Sequence, residues 1–328
     1  MWLNYPFITL GSFLVSLLLI AGLKNFSLKR NLLSQQKIPL VGGVGLGLSF
    51  ILVSSAALFF YRSLSAQIIG IILSSGIMLV FGLLDDWREL SVLAKFLVQI
   101  IATAVLVCFG IRTKIIYIPT FLNIFLTFIW VLGITNAFNH LDIMDGVASG
   151  VACVVSLGFL AVTFFKGNTT CIILFLSLIG ATAAFLVYNL PPARVYMGNS
   201  GSHFLGFVLA AIALFISYAP LKREVALLSP ILILGFPLFD SGFLILMRLK
   251  RGIRIFNKSN DHLVLRFLRL GYSKKKSLFL SLLLCSFFSL CGVLLSQLSN
   301  FWGAVVVAFA IALSLPIAVK MSSLSLNG

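Results

Sequence analysis

The stretch Asn136 to Gly146, NAFNHLDIMDG, sets two amides and two carboxylates, Asn136, Asn139, Asp142 and Asp145, at three-residue intervals inside an otherwise apolar chain. An α-helix turns about 100° per residue, so each three-residue step keeps neighbours on one face while the full span drifts to the opposite side. A straight helix therefore cannot aim all four at one point. A helix end or a turn between two helices can, and Asn and Asp tolerate such backbone. A solvated connector between membrane spans explains a single Asn or Asp; four polar groups at a fixed interval at a membrane edge point to function.

Outward from that stretch, the 328 residues are 60% hydrophobic and 10% charged, far from the roughly 25% charged of soluble domains. This is the composition of an all-α integral membrane protein. Apolar runs of about 17 to 21 residues suit helices crossing the hydrocarbon, whereas a barrel shows shorter alternating segments. Met1 to Pro6 carries no basic side chain, so the first apolar run is expected to be a retained anchor and not a cleaved leader. The net charge of +16 does not indicate nucleic acid, because the basic residues sit in short loops between apolar runs. The five cysteines lie in or beside apolar runs without metal-ligand spacing, as small core hydrophobes do.

Eleven candidate spans begin near residues 7, 41, 67, 94, 115, 146, 170, 201, 228, 277 and 301, in one polytopic domain over residues 1–328. If the first loop is cytoplasmic, 18 Lys and Arg fall on that side and six on the other: Arg62, Arg112, Lys114, Lys166, Lys222 and Arg223. The positive-inside rule then puts the N-terminus outside and the C-terminus in the cytoplasm. Seven of the eight acids share the cytoplasmic half, with only Glu224 outside. That convergence predicts one cytoplasmic-face site in the cell membrane, built from loops 24–40, 85–95, 134–146, 189–203 and 248–276. A transporter is disfavoured, because no internal repeat is visible and few polar groups lie near mid-span.

Four further motifs join the first. IPLVGGVGLG (Ile38 to Gly47) carries Gly42, Gly43, Gly45 and Gly47, which suit close approach to a phosphate or, equally, helix packing through small residues. FGLLDDW ends in adjacent Asp85 and Asp86; paired acids at a membrane edge call for a cation or basic partner, and Mg²⁺ binds through one or two carboxylates plus substrate phosphates. VYMGNSGSHFLGF offers Gly198, Ser200, Gly201 and Ser202 at a helix start, where backbone N–H groups can face an anion. After FPLFDSG, with Pro237 and Asp240, comes a basic loop in which Arg254, His262, Arg266 and Arg269 alternate with apolar residues, as in a folded diphosphate clamp.

Together, in order, these five motifs resemble the polyprenyl-phosphate N-acetylhexosamine-1-phosphate transferases, members of glycosyl transferase family 4, over nearly the whole chain. IPLVGG resembles the family's first-loop motif, LLDDW its double aspartate, and NAFNHLDIMDG its Asn-Asp motif, matched at Asn136, Asn139, Asp142 and Asp145. The resemblance implies an eleven-span enzyme that moves a sugar 1-phosphate from a UDP-N-acetylhexosamine to a membrane polyprenyl phosphate, releasing UMP, with GlcNAc-1-phosphate the expected group although the sequence does not name the sugar. This would begin an envelope polysaccharide. It implies catalytic roles for Asp85, Asp86, Asp142 and Asp145, with Mg²⁺ (or Mn²⁺) near Asp86, Asp145 and Asn199. It implies substrate contacts from Asn136, Asn139, Gly198, Ser200, Gly201, His262 and Arg266, and leaves the oligomeric state open.

Three departures bear on that expectation. Asn199 stands where the family motif has an aspartate, Ile143 where it has glycine, and His262-Leu263-Val264-Leu265 keeps only the first of three motif histidines. An amide oxygen offers a metal a dipole in place of a charge. The competing expectation is a non-catalytic relative that binds lipid phosphate or nucleotide and regulates an active enzyme.

Overall fold

The computed structural model describes residues 5–35, 37–216, 218, 223–252 and 261–323. Arg254 of the basic loop, and Lys222 and Lys258 of the charge comparison, lie outside the described residues. The chain divides into two compact units, residues 1–216 and 217–328.

The first unit holds α1 (Tyr5–Arg30), a small antiparallel hairpin of β1 (Ser34–Gln35) and β2 (Ile38–Pro39), α2 (Gly42–Phe60), α3 (Ala66–Trp87), α4 (Val92–Cys108), α5 (Thr120–Leu141), α6 (Val147–Phe165), α7 (Thr169–Asn189) and α8 (Gly198–Phe215). The hairpin was not expected from the apolar pattern. Serine and asparagine start the helices: Ser65, Ser91 and Asn168 accept the N–H three residues on, at 3.4, 3.3 and 3.0 Å, which satisfies donors that a helix end leaves unpaired.

At the centre of this unit is α8, in which Gly198 and every residue from Ser200 to Ala213 are buried. Small residues let helices approach where no hydrophobic gain separates helix from lipid. A Cβ on Gly206 of α8 would lie 2.7 Å from Thr135 Cα of α5, and one on Gly180 of α7 would lie 2.3 Å from Thr9 O of α1. Hydroxyls cross-link the same neighbours: Ser12 and Ser16 of α1 donate to Ser177 O (2.6 Å) and Ala181 O (3.1 Å), and Ser49 of α2 donates to Ser12 O (2.8 Å).

The second unit holds a short 3₁₀ helix (Glu224–Leu228), α9 (Ser229–Ile233), α10 (Gly235–Lys250), α11 (Leu263–Arg269), α12 (Lys274–Leu295) and α13 (Asn300–Ser322). Phe243, Met247, Leu263, Phe267 and Met321 form a buried cluster there.

Among the described residues nine helices are long and apolar enough to cross a membrane. The remaining two apolar segments differ from the simple expectation. α4 has only 17 residues, and the segment expected near 228 is a pair, Glu224–Ile233 and Gly235–Lys250, bent by 72°. Gly235 and the prolines Pro230 and Pro237 flank that bend, as residues that lack a Cβ or an N–H are apt to do. The fifth segment starts at Thr120 and not near 115, because residues before it form a structured loop. Of the five cysteines, Cys171, Cys285 and Cys291 are buried as expected, whereas Cys108 is exposed.

Candidate active site

The Asn-Asp motif adopts the helix-end geometry its spacing required. Asn136 and Asn139 occupy the last turns of α5, the helix stops at Leu141, and Asp142 begins the turn that reaches Gly146. Gly146 has φ +79° and precedes α6, a left-handed conformation that glycine adopts without a Cβ penalty. Its N–H donates to Asn189 Oδ1 at 2.9 Å, and Asn189 Nδ2 donates to Val195 O at 3.0 Å. Asp145 Oδ2 accepts Ala193 N at 3.2 Å. One buried asparagine thus fastens the Asp142–Gly146 turn to the chain that enters α8.

At that helix start Asp86 crosses from α3. Its Oδ1 accepts Asn199 N at 2.7 Å and its Oδ2 accepts Ser200 N at 3.0 Å. The N-terminal N–H groups of α8, expected from sequence to face an anion, here face a carboxylate of the chain itself, favoured by the positive end of the helix. Two glycines make room. A Cβ on Gly82, one turn before Asp86, would meet Ser200 Cα at 2.4 Å, and one on Gly198 (φ +73°) would meet Asp86 Oδ2 at 2.5 Å.

The first-loop glycines resolve in favour of close backbone packing. Gly42 N donates to Tyr196 O and Gly43 N to Met197 O, both at 3.0 Å. A Cβ on Gly43 would lie 2.1 Å from Gly201 N. IPLVGG therefore braces the segment that Asp86 caps.

Asp85 and Asp86, adjacent in sequence, point about 100° apart on the helix and have different neighbours. Asp85 is buried, pairs with Lys95 Nζ at 2.6 Å and accepts Leu90 N at 2.8 Å. Asn136 likewise faces α4, donating to Gln99 Oε1 at 2.8 Å. Asn139 faces α8, its Nδ2 lying 3.1 Å from both Asn199 Oδ1 and Ser202 Oγ. Lys95, Gln99 and Asn189 were not singled out from sequence. Ser91, Lys95, Gln99 and Thr103 form a polar stripe at four-residue spacing on α4, which is the signal that could have found the first two.

Asp142 shows what this arrangement lacks. Its carboxyl accepts no hydrogen bond among the described residues, and burial, with the charges of Asp86 and Asp145 nearby, pushes its pKa up to about 7. Three acids with this mutual repulsion suit a cation. Among the described residues no three His, Cys, Asp or Glu side chains converge as a metal cage. Asn199 Oδ1 already accepts from Asn139 and keeps one lone pair for another partner.

His262 and Arg266 belong to the second unit. His262 Nδ1 lies 2.8 Å from Asp240 Oδ2, and Asp240 Oδ1 accepts Leu263 N at 2.8 Å. Arg266 pairs with Asp261 at 3.1 Å, donates to Met321 O and lies over the Phe243 ring at 5.0 Å. Burial lowers the pKa of its guanidinium while Asp261 raises it. Both expected diphosphate contacts are thus held by carboxylates of their own unit.

Comparison with known proteins bears on the chemistry. Residues 68–217, from α3 to the end of α8, match glycosyl transferase family 4. The chain is 30% identical over 299 residues to the probable undecaprenyl-phosphate N-acetylglucosaminyl 1-phosphate transferase of Bacillus subtilis, spanning 88% of this chain and 81% of that protein. It is 31% identical over 280 residues to the decaprenyl-phosphate N-acetylglucosaminephosphotransferase of Mycobacterium leprae (73% and 68% of the two chains). To the phospho-N-acetylmuramoyl-pentapeptide-transferase of Staphylococcus saprophyticus it is 30% identical over 259 residues (68% and 75%).

Proposed function

The chain belongs to glycosyl transferase family 4, and from that membership we propose that this membrane sugar-phosphate transferase moves an N-acetylhexosamine 1-phosphate from a UDP-sugar to a polyprenyl phosphate. An oxygen of the lipid phosphate attacks the phosphorus that bears the sugar. The bond from that phosphorus to the UMP oxygen breaks, and UMP leaves with the electron pair. Two of the relatives, those of Bacillus subtilis and Mycobacterium leprae, are named for undecaprenyl or decaprenyl phosphate and N-acetylglucosamine, and the chain matches them over more of its length than the N-acetylmuramoyl-pentapeptide transferase, which supports GlcNAc-1-phosphate as the transferred group.

The observation that carries the reading is that Asp86, seated on the start of α8, and Asp145 both lie near enough to Asp142 for their charges to raise its pKa. Phosphoryl transfer between two anions needs charge compensation and in-line positioning more than a strong base. Mg²⁺ held by Asp86 and Asp145, with Asn199 as a neutral third ligand, would supply that compensation; Mn²⁺ suits the same oxygens. Asp142, with a pKa near 7, matches the second ionisation of a phosphate monoester at about 6, so it is suited to take the lipid phosphate's last proton. Asp85, held by Lys95, is a positioning residue for the loop between α3 and α4. The basic asymmetry of the sequence supports a cytoplasmic face for these carboxylates, with the C-terminus on the same side.

Purified protein incubated with Mg²⁺, polyprenyl phosphate and a panel of UDP-sugars should release UMP with at least one of them. No UMP from any sugar, with substrate binding intact, would instead support the non-catalytic relative suggested by Asn199 and the reduced histidine motif.

A further inference from the structure

At the end of α5 opposite Asn139 and Asp142, about 33 Å away for a 22-residue helix, the loop between α4 and α5 lines an open cavity of about 250 Å³, well above the roughly 30 Å³ of one water. Arg112 and Lys114 line it together with Thr113 and Thr120, and no carboxylate does. Neither cation has an ion-pair or hydrogen-bond partner among the described residues, so neither is needed to hold the loop. Asn123 and Thr127 hold it instead. Asn123 Oδ1 accepts Ile115 N at 2.8 Å, its Nδ2 donates to Ile115 O and Ile118 O at 3.0 and 3.2 Å, and Thr127 Oγ1 accepts Thr113 N at 3.0 Å. The result is a rigid concave site with two uncompensated positive charges.

Beneath it runs an apolar track. Phe121, Phe125 and Ile129 repeat at four residues down α5 and are 68%, 58% and 54% exposed, so they form one stripe that starts at the rim of the cavity. A basic cavity at the top of an apolar stripe matches a phosphate esterified to acyl chains better than a free anion, which would gain nothing from the stripe. We propose that this loop is a binding site for the headgroup of an anionic phospholipid, its phosphate between Arg112 and Lys114 and an acyl chain along Phe121, Phe125 and Ile129. The site is independent of the transfer chemistry and lies at the other end of the same helices.

Native mass spectrometry of the delipidated full chain, titrated with phosphatidylglycerol or phosphatidylcholine, tests it. Each cation near a membrane surface is worth about fivefold in affinity, so R112Q/K114Q should weaken the first phosphatidylglycerol about thirtyfold and leave phosphatidylcholine unchanged. The charge-conserving R112K/K114R should bind as the native chain does, which separates loss of charge from misfolding. R62Q removes a cation from the neighbouring turn between α2 and α3 and should have no effect. Equal binding by R112Q/K114Q, or an equal loss in R62Q, would overturn the site. Inorganic phosphate binding as tightly as phosphatidylglycerol would show a free-anion site that gains nothing from the stripe and overturn the lipid assignment.

Discussion

Asp86 reaches across 113 residues of sequence to accept the backbone N–H of Asn199 at 2.7 Å. The contact joins the double-aspartate motif to the start of α8, and it exists because Gly198 has no Cβ. Gly198→Ala would place a methyl 2.5 Å from Asp86 Oδ2 in a φ +73° conformation that costs an L-residue about 1–2 kcal/mol. The variant should insert normally, lose a few degrees of thermal stability and lose nearly all UMP release. Native activity in Gly198→Ala would show that the seat of Asp86 at the helix start does not matter to turnover.

The two neighbouring aspartates should separate cleanly on mutation. Asp86→Asn keeps the shape and removes the charge, and turnover should fall about 100- to 1000-fold, the range seen when one electrostatic group is lost from a reacting site. Asp85→Asn leaves Lys95 without its 2.6 Å partner. Breaking a buried pair costs about 3–5 kcal/mol, less here because the Lys95 side chain is 24% exposed. The expected result is a destabilised protein with part of its activity, and partial recovery of stability in Asp85→Asn/Lys95→Met. Additive losses in that double variant would mean the pair is not coupled.

The regular three-residue spacing of NAFNHLDIMDG correctly required a helix end, and α5 does stop at Leu141 with Asp142 in the turn. The apolar runs located the helices for the same reason: length and hydropathy are local properties. What spacing could not reveal is which polar group meets which. Asn136 and Asn139 look equivalent in sequence, yet one faces Gln99 of α4 and the other Asn199 of α8. Asp85 and Asp86 are told apart only by what meets them, Lys95 for the first and the start of α8 for the second, and the IPLVGG glycines are explained by Tyr196, Met197 and Gly201. These are contacts between distant segments, fixed by packing and carried by no single motif.

Asp142 gives a pH dependence with a definite sign. Its carboxyl titrates near 7 in the folded chain and near 3.9 when unfolded. The folded state therefore keeps a proton that the unfolded state has released, and the stability this contributes is full below about pH 4 and lost as pH rises through 7. Metal-free protein in detergent should melt at lower temperature at pH 8 than at pH 5, and Asp142→Asn should flatten that difference. An unchanged slope in Asp142→Asn would assign the effect to another group.

Orientation can be read with single cysteines in a cysteine-free background. Ser63→Cys, in the turn between α2 and α3, should react with an impermeant reagent in intact cells. Arg88→Cys, between α3 and α4, should react only after permeabilisation. The reverse pattern would put the carboxylates on the outer face and end the proposal of a cytoplasmic donor site.

Asn199 offers the sharpest test of the metal. Its Oδ1 accepts from Asn139 Nδ2 at 3.1 Å, and a carboxylate at this position can accept the same bond, so Asn199→Asp changes charge with little change of shape. Without metal, the added charge joins Asp86, Asp142 and Asp145 and should lower the melting temperature. With Mg²⁺ bound among them the sign reverses, because attraction between charges a few Å apart is worth on the order of a few kcal/mol at an effective dielectric near 20. The half-maximal Mg²⁺ concentration for activity should fall tenfold or more, and Mg²⁺ should raise the melting temperature of Asn199→Asp by more than it raises that of the native chain. If Mg²⁺ dependence is unchanged in both measurements, Asn199 does not touch the metal. The ligands must then come from Asp86, Asp142 and Asp145, with the substrate phosphates completing the shell.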